Sequence, residues 1–135
     1  MVDHSTVEVK TSRACADAAE KRGALFLDAP ISGSTERATD GTLTIMAGGP
    51  QQAYDQALPV FDAMGATVRR IGPTGTTVKL INQLLVGIHS VAAAEAMLLG
   101  AKAGADYVAQ YLYHLPRDRF TMIATLISSR SVQLL

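Results

Sequence analysis

Gly72-Pro73-Thr74-Gly75-Thr76-Thr77-Val78-Lys79-Leu80-Ile81-Asn82-Gln83 is a turn that opens into a helix, and the fold is read outward from it. Beyond the Gly-Pro-Thr-Gly turn, Leu, Ile, Val, Ala and Met recur at helical spacing to about Gly104, which predicts one long buried helix from Thr76. At 1.5 Å per residue such a helix is roughly 40 Å long, more than is needed to cover a sheet, and it suggests a bridge into another module. Lys79, Asn82 and Gln83 stand at i, i+3 and i+4 near its start and so share one face. A lysine on an apolar helix needs a polar partner or a cleft, because an unpaired buried ammonium is costly. Lys79 is therefore the first functional candidate. The competing explanation is a solvated charge at the helix start whose stem covers apolar surface.

Upstream, strand and helix signals alternate. Met1-Val2-Asp3 is the tail of a strand, and Val9 to Arg22 suits an amphipathic helix through Thr11, Ala14, Cys15, Ala18 and Ala19. Gly23 ends that helix where a left-handed residue is often required. Ala24–Leu27 is a short apolar strand that emerges into Asp28-Ala29-Pro30, and residues 31–41 read as a loop. A second strand spans Thr42–Ala47, a helix broken or kinked near Pro59 spans Gln51–Met64, and a third strand spans Ala66–Ile71. The alternation predicts an α/β sheet packed by helices. Past Tyr113 the helical pattern breaks at Leu115-Pro116-Arg117, and Phe120–Leu135 could form a short helix on a partner or nothing stable.

Composition narrows the function classes. The 135 residues are 48% apolar, enough for one core, and 12 basic residues balance 12 acidic ones. With no basic block, nucleic-acid binding through an electrostatic footprint is disfavoured, and Arg69-Arg70 reads as a solvated strand end. The single cysteine, Cys15, excludes an internal disulfide and a cysteine zinc cluster. Leu80–Leu99 approaches membrane-spanning length, but Asn82, Gln83, His89, Ser90 and Glu95 interrupt it. Together with the absence of a signal-peptide pattern at Met1–Ser5, this predicts a soluble, cytoplasmic chain with no membrane contact.

Two further stretches carry chemistry. Asp28-Ala29-Pro30-Ile31-Ser32-Gly33 lies at the C-terminal end of a predicted strand, where ligands bind in open α/β sheets. The Ser32 hydroxyl beside the Gly33 N–H can hold a carboxylate or phosphate oxygen, although Pro, Ser and Gly also suit a plain turn. In Gly41-Thr42-Leu43-Thr44-Ile45-Met46-Ala47-Gly48-Gly49 the glycines fit turns better than ligands.

Taken with Gly72-x-x-Gly75-x-x-x-Lys79-x-x-Asn82, these stretches resemble the β-hydroxyacid dehydrogenase family, relatives of 6-phosphogluconate dehydrogenase that include 3-hydroxyisobutyrate dehydrogenases. Asn82 to His89, with Ala94-Glu95-Ala96-Met97, is most similar to the branch acting on threonate-type sugar acids, with tartronate-semialdehyde reductases close behind. The resemblance implies the C-terminal half of a Rossmann-type NAD(P)-binding domain over residues 1–75. It implies an interdomain helix and the start of an all-α domain over 76–112, and leaves 113–135 as a divergent tail. It also implies NAD or NADP as cofactor and a small hydroxyacid as substrate. Lys79 would be the general acid/base, Ser32 and Gly33 the carboxylate anchor, Asn82 and Gln83 further substrate contacts, and Thr6 a cofactor contact near the nicotinamide.

Three departures stand against the pattern. Gln83 and Ser34 replace residues that are commonly asparagine and glycine in the family. The sequence contains no G-x-G-x-x-G to cradle a pyrophosphate; in the family that loop precedes the part matched here. Two functions are therefore expected in competition: NAD(P)-dependent oxidation of a hydroxyacid, or a catalytically silent piece that acts only by packing on a partner, a second copy or a full-length relative.

Overall fold

In the computed structural model the described residues are 1–105, so the expectations for the tail and for 106–112 lie outside them. The elements run β1 (Val2–Asp3), α1 (Val9–Glu20), β2 (Leu27–Asp28), β3 (Ile31–Ser32), α2 (Ser34–Thr39), β4 (Leu43–Gly48), α3 (Gln51–Met64), β5 (Gly65–Gly72) and α4 (Gly75–Lys102). Met1–Asn82 forms one compact unit, and a second begins at Gln83.

The first unit is a five-stranded sheet with helices. β1 runs parallel to β2, and β4 runs parallel to β5, but β4 is antiparallel to both β2 and β3. The sheet is thus mixed. Pro30 explains why β2 and β3 count as two short strands: it has no N–H for the ladder, although its carbonyl still accepts from Met46 N at 3.0 Å. Residues 27–32 therefore behave as one extended run between β1 and β4.

Phe61 on α3 is fully buried and joins Leu27, Ala29, Leu43, Ile45 and Ala47 in the core. Ala53, Ala57 and Phe61 recur every four residues, which gives α3 one buried face. The helix is continuous through Pro59, which stands on its exposed side, so the expected break is absent. On α1 the buried positions are Ser12 and Ala19, with Cys15 half-buried; Ala19 and Cys15 belong to the predicted stripe, whereas Thr11, Ala14 and Ala18 face solvent. Gly23 does take the left-handed conformation expected of it, with φ of 67°.

Residues 31–41 are not a simple loop. Ile31 and Ser32 pair with Ile45 and Thr44, and Ser34–Thr39 closes a short helix. That helix is polar throughout, so no apolar period betrays it. Ser34 opens it at φ of 61°, the one non-glycine in the left-handed region among the described residues. For an L-residue this conformation costs about 1–2 kcal/mol. Ser34→Gly is expected to stabilise the chain by about 0.5–1 kcal/mol after the entropy that glycine adds to the unfolded state. A urea midpoint that stays put or falls would contradict a strained Ser34.

α4 covers 28 residues and is, among the described residues, long and apolar enough by composition to cross a membrane. Its shielded positions, Gly75, Thr76, Lys79, Asn82, Val86, Ser90, Ala93, Met97 and Gly100, follow a three-and-four spacing. Leu84, Leu85, Ile88, Val91, Leu98 and Leu99 are exposed.

Candidate active site

The start of α4 is fastened to the sheet by a carboxylate. Asp28 is buried at the end of β2, and its Oδ2 accepts hydrogen bonds from the Thr76 backbone N–H at 2.9 Å and from the Thr74 hydroxyl. Its Oδ1 accepts from the Thr76 hydroxyl at 2.7 Å. The first N–H groups of a helix have no partner of their own, so Asp28 acts as an N-cap supplied from a distant strand. Its negative charge also faces the positive end of the helix dipole. An aspartate inside an apolar strand needs such partners, and this is the signal that could have revealed the clamp.

Two glycines let the turn lie against the sheet. A Cβ on Gly75 would come 1.9 Å from the Met46 carbonyl oxygen and 2.8 Å from Pro30 Cδ. A Cβ on Gly48 would come 2.2 Å from the Gly75 nitrogen. Gly48 and Gly75, from two separate motifs, thus make room for one another. The Gly49 N–H donates to the Gly72 carbonyl at 2.9 Å and closes the same junction.

Lys79 follows Thr76 by three residues, about 4.5 Å along the helix axis. The residue is only 8% exposed. Among the described residues no hydrogen bond or ion pair holds its ammonium, yet no fully buried side-chain nitrogen or oxygen lacks a partner. The Nζ therefore keeps a narrow opening to solvent. Burial pushes its pKa below the ordinary lysine value, since desolvation disfavours the charged form. Asn82 is half-buried on the same stripe, whereas Gln83 is exposed and opens the second unit.

Ser32 and Gly33 are half-buried at the end of β3, four and five residues beyond the clamp residue Asp28. Gly33 has φ of 144°, and a Cβ there would meet Arg37 Cβ at 2.6 Å, so the position admits no side chain. Thr6 is exposed in the segment after β1. That segment is organised by Asp3, whose Oδ1 accepts from the Ser5 N–H at 2.9 Å; the hydrogen bonding of Ser5 holds the Asp3 carboxyl below its usual range. His4 Nδ1 lies 2.6 Å from the Ala29 carbonyl and the ring meets Phe61 edge-on. The clamp thus fastens the helix of Lys79 and Asn82 to the extended run that leads to Ser32 and Gly33, and β1 beside that run leads to Thr6.

These features define a Rossmann-type α/β unit that passes into a long helix. Residues 1–72 match the NAD binding domain of 6-phosphogluconate dehydrogenase, and residues 73–112 match the NAD-binding segment of NADP-dependent 3-hydroxyisobutyrate dehydrogenase. An L-threonate dehydrogenase of Cupriavidus necator is 48% identical over 94 residues, 67% of this chain and 32% of that protein. The crystal structure of a 3-hydroxyisobutyrate dehydrogenase from Salmonella typhimurium superposes with a TM-score of 0.81 at 36% identity, over 93% of this chain and 46% of that one. A structure described as Psf3 in complex with NADP+ and 2-OPP gives a TM-score of 0.83 at 26% identity, over 94% of this chain and 46% of the other. The chain belongs to the β-hydroxyacid dehydrogenase family, whose cofactor is NAD or NADP. It spans about a third of the length of the curated relatives that it matches.

Proposed function

We propose that this chain supplies the substrate-binding and proton-transfer part of an NAD(P)-dependent hydroxyacid dehydrogenase, acting on a small acid of the threonate or tartronate-semialdehyde type. The observation that carries the reading is Lys79, a buried lysine with no counter-ion among the described residues, whose helix is clamped to the strand of the Ser32-Gly33 motif. Hydride transfer is the chemistry NAD(P) supplies when bound. The residues present offer Thr6 near its reactive end but no glycine loop for its pyrophosphate, so the fit is partial.

Within the chain's own residues the roles follow from chemistry. The Ser32 hydroxyl and the Gly33 N–H hold the substrate carboxylate. In reduction the Lys79 ammonium donates its proton to the carbonyl oxygen, and in oxidation the neutral amine accepts the hydroxyl proton. Desolvation favours that neutral amine, which suits the second role. Asn82 hydrogen-bonds the reacting oxygen or Lys79, and Gln83 contributes a further polar contact to the substrate. The domain scheme of 1–75, 76–112 and 113–135 belongs to the same proposal, as does a soluble, cytoplasmic setting. Polar residues at 82, 83, 89, 90 and 95 along α4 favour that setting over a bilayer.

A second reading, in which the chain acts only when packed on a partner, is favoured by the exposed Leu84, Leu85, Ile88 and Leu99 of α4. Titrating the folded chain with NADH and NADPH, read by cofactor fluorescence, separates the two. Saturable binding that threonate modulates is the expected result for a self-sufficient site. No binding from a folded sample would overturn that reading for the chain alone and leave the partner-dependent one.

A further inference from the structure

The first unit contains a cavity of about 460 Å³ that none of Thr6, Ser32, Gly33, Lys79, Asn82 and Gln83 lines. Its walls come from α1 (Ser12, Arg13), Phe26, the Gly48-Gly49 turn, Arg70 at the end of β5, and Thr74 beside the Asp28 clamp. We propose that it is a second ligand site, taking a small organic anion whose carboxylate or phosphate is carried on an apolar body.

Four observations carry this. The volume falls within the range of about 300–1,000 Å³ typical of small-molecule pockets. Two arginines, from separate elements, line the cavity, and neither Arg13 nor Arg70 forms an ion pair among the described residues. The Nε of Arg70 donates to the Gly49 carbonyl at 2.9 Å, which fixes the plane of its fork and leaves its terminal nitrogens for an acceptor. Ser12 is only 4% exposed, yet its hydroxyl has no hydrogen-bond partner among the described residues. Because no fully buried side-chain oxygen is unsatisfied, that hydroxyl opens into the cavity it lines, where a ligand oxygen would satisfy it.

The lining is largely apolar, with Ala16, Phe26, Pro50 and Pro73 among its residues, which is why a bare inorganic ion is a poor match. Asp28 also reaches the cavity, and a second anion beside a carboxylate is ordinarily unfavourable. Here both Asp28 oxygens are already engaged by Thr74 and Thr76, and its charge faces the positive end of α4. Thr74 lines the cavity and donates to Asp28, so a bound ligand touches the clamp that seats α4. Occupancy is therefore felt at the helix of Lys79 without any contact to the substrate residues.

The test uses the full chain, isotope-labelled, titrated separately with phenyl phosphate, phenylacetate and inorganic phosphate while amide shifts are followed by NMR. Saturable shifts at Ser12, Gly49 and Thr74 are expected for at least one aromatic anion, with inorganic phosphate binding at least tenfold more weakly. The phenyl phosphate and phenylacetate arms distinguish a phosphate ester from a carboxylate. Arg13→Ala removes an exposed side chain that makes no hydrogen bond, and it should weaken the aromatic anion at least tenfold while the rest of the spectrum stays in place. Ser12→Ala should weaken it severalfold. Absence of saturable shifts, shifts that map elsewhere, equal affinity for inorganic phosphate, or an Arg13→Ala variant that binds as well as the parent would each overturn the proposal.

Discussion

Gly75→Ala is expected to destabilise the chain by about 3–5 kcal/mol, well beyond an ordinary substitution. The added methyl would stand 1.9 Å from the Met46 carbonyl oxygen and 2.5 Å from that of Asp28. Both are backbone atoms of the sheet, so no rotamer change relieves the overlap. Relief requires the turn to lift away from β4 and from residues 28–30. That movement breaks the hydrogen bonds from Thr76 to the Asp28 carboxylate, at 2.9 and 2.7 Å, and leaves a buried charge without its donors. Gly87→Ala is the matched control. It lies within the same helix with nothing within 4 Å of the new methyl among the described residues, and should stabilise by up to about 1 kcal/mol through helix propensity alone. Paired urea titrations read both. Two variants that shift the midpoint alike would show that the contact at Gly75 does not bear on stability.

The contrast between these two glycines shows what was legible in the sequence. Apolar spacing and turn residues located α1, α3, α4 and the longer strands: α3 and α4 each shield one face at a three-and-four spacing, while β4 is a nearly continuous buried run. It could not show β3 or α2, whose residues Ile31–Ser32 and Ser34–Thr39 are too few or too polar to leave a period. It also missed the antiparallel direction of β4. A strand's direction depends on how the intervening chain returns, and α2 supplies an unrecognised half-turn between β3 and β4. The glycines of the Gly48-Gly49 motif were understood as turn residues; their actual constraint, close approach to a helix start some 25 residues later, is a tertiary fact. Asp28 lay within a quoted motif without a role, because its partners Thr74 and Thr76 are distant in the chain. Arg70 was read as a solvated strand end, and it is exposed near the end of β5; what no local pattern announces is its hydrogen bond to the Gly49 carbonyl beside the cavity.

Lys79→Met is expected to raise stability at neutral pH while abolishing the function proposed for the site, a loss of about 10²–10⁴-fold in any turnover the chain supports. Methionine keeps the unbranched shape of the side chain to within one atom of its length and removes the charge. In the folded chain desolvation lowers the pKa of Lys79, whereas the unfolded chain keeps the ordinary value of 10.5. Below the depressed value both states carry the proton, and the full cost of burying the ammonium opposes folding. Between that value and 10.5 the unfolded state binds more protons, so stability rises with pH; above it both states are neutral and the cost is gone. The stability advantage of Lys79→Met should therefore be largest near neutrality and shrink as pH climbs toward 10.5. A lysine serving only as a solvated helix-start charge predicts the reverse: methionine neutral or worse, with no dependence on pH. Thermal melts of both chains from pH 7 to 10 decide between them. A residue that costs the fold energy where it stands, in a chain that could bury methionine there instead, is the pattern of a site kept for its chemistry. A Lys79→Met chain no more stable than its parent at neutral pH would remove that argument.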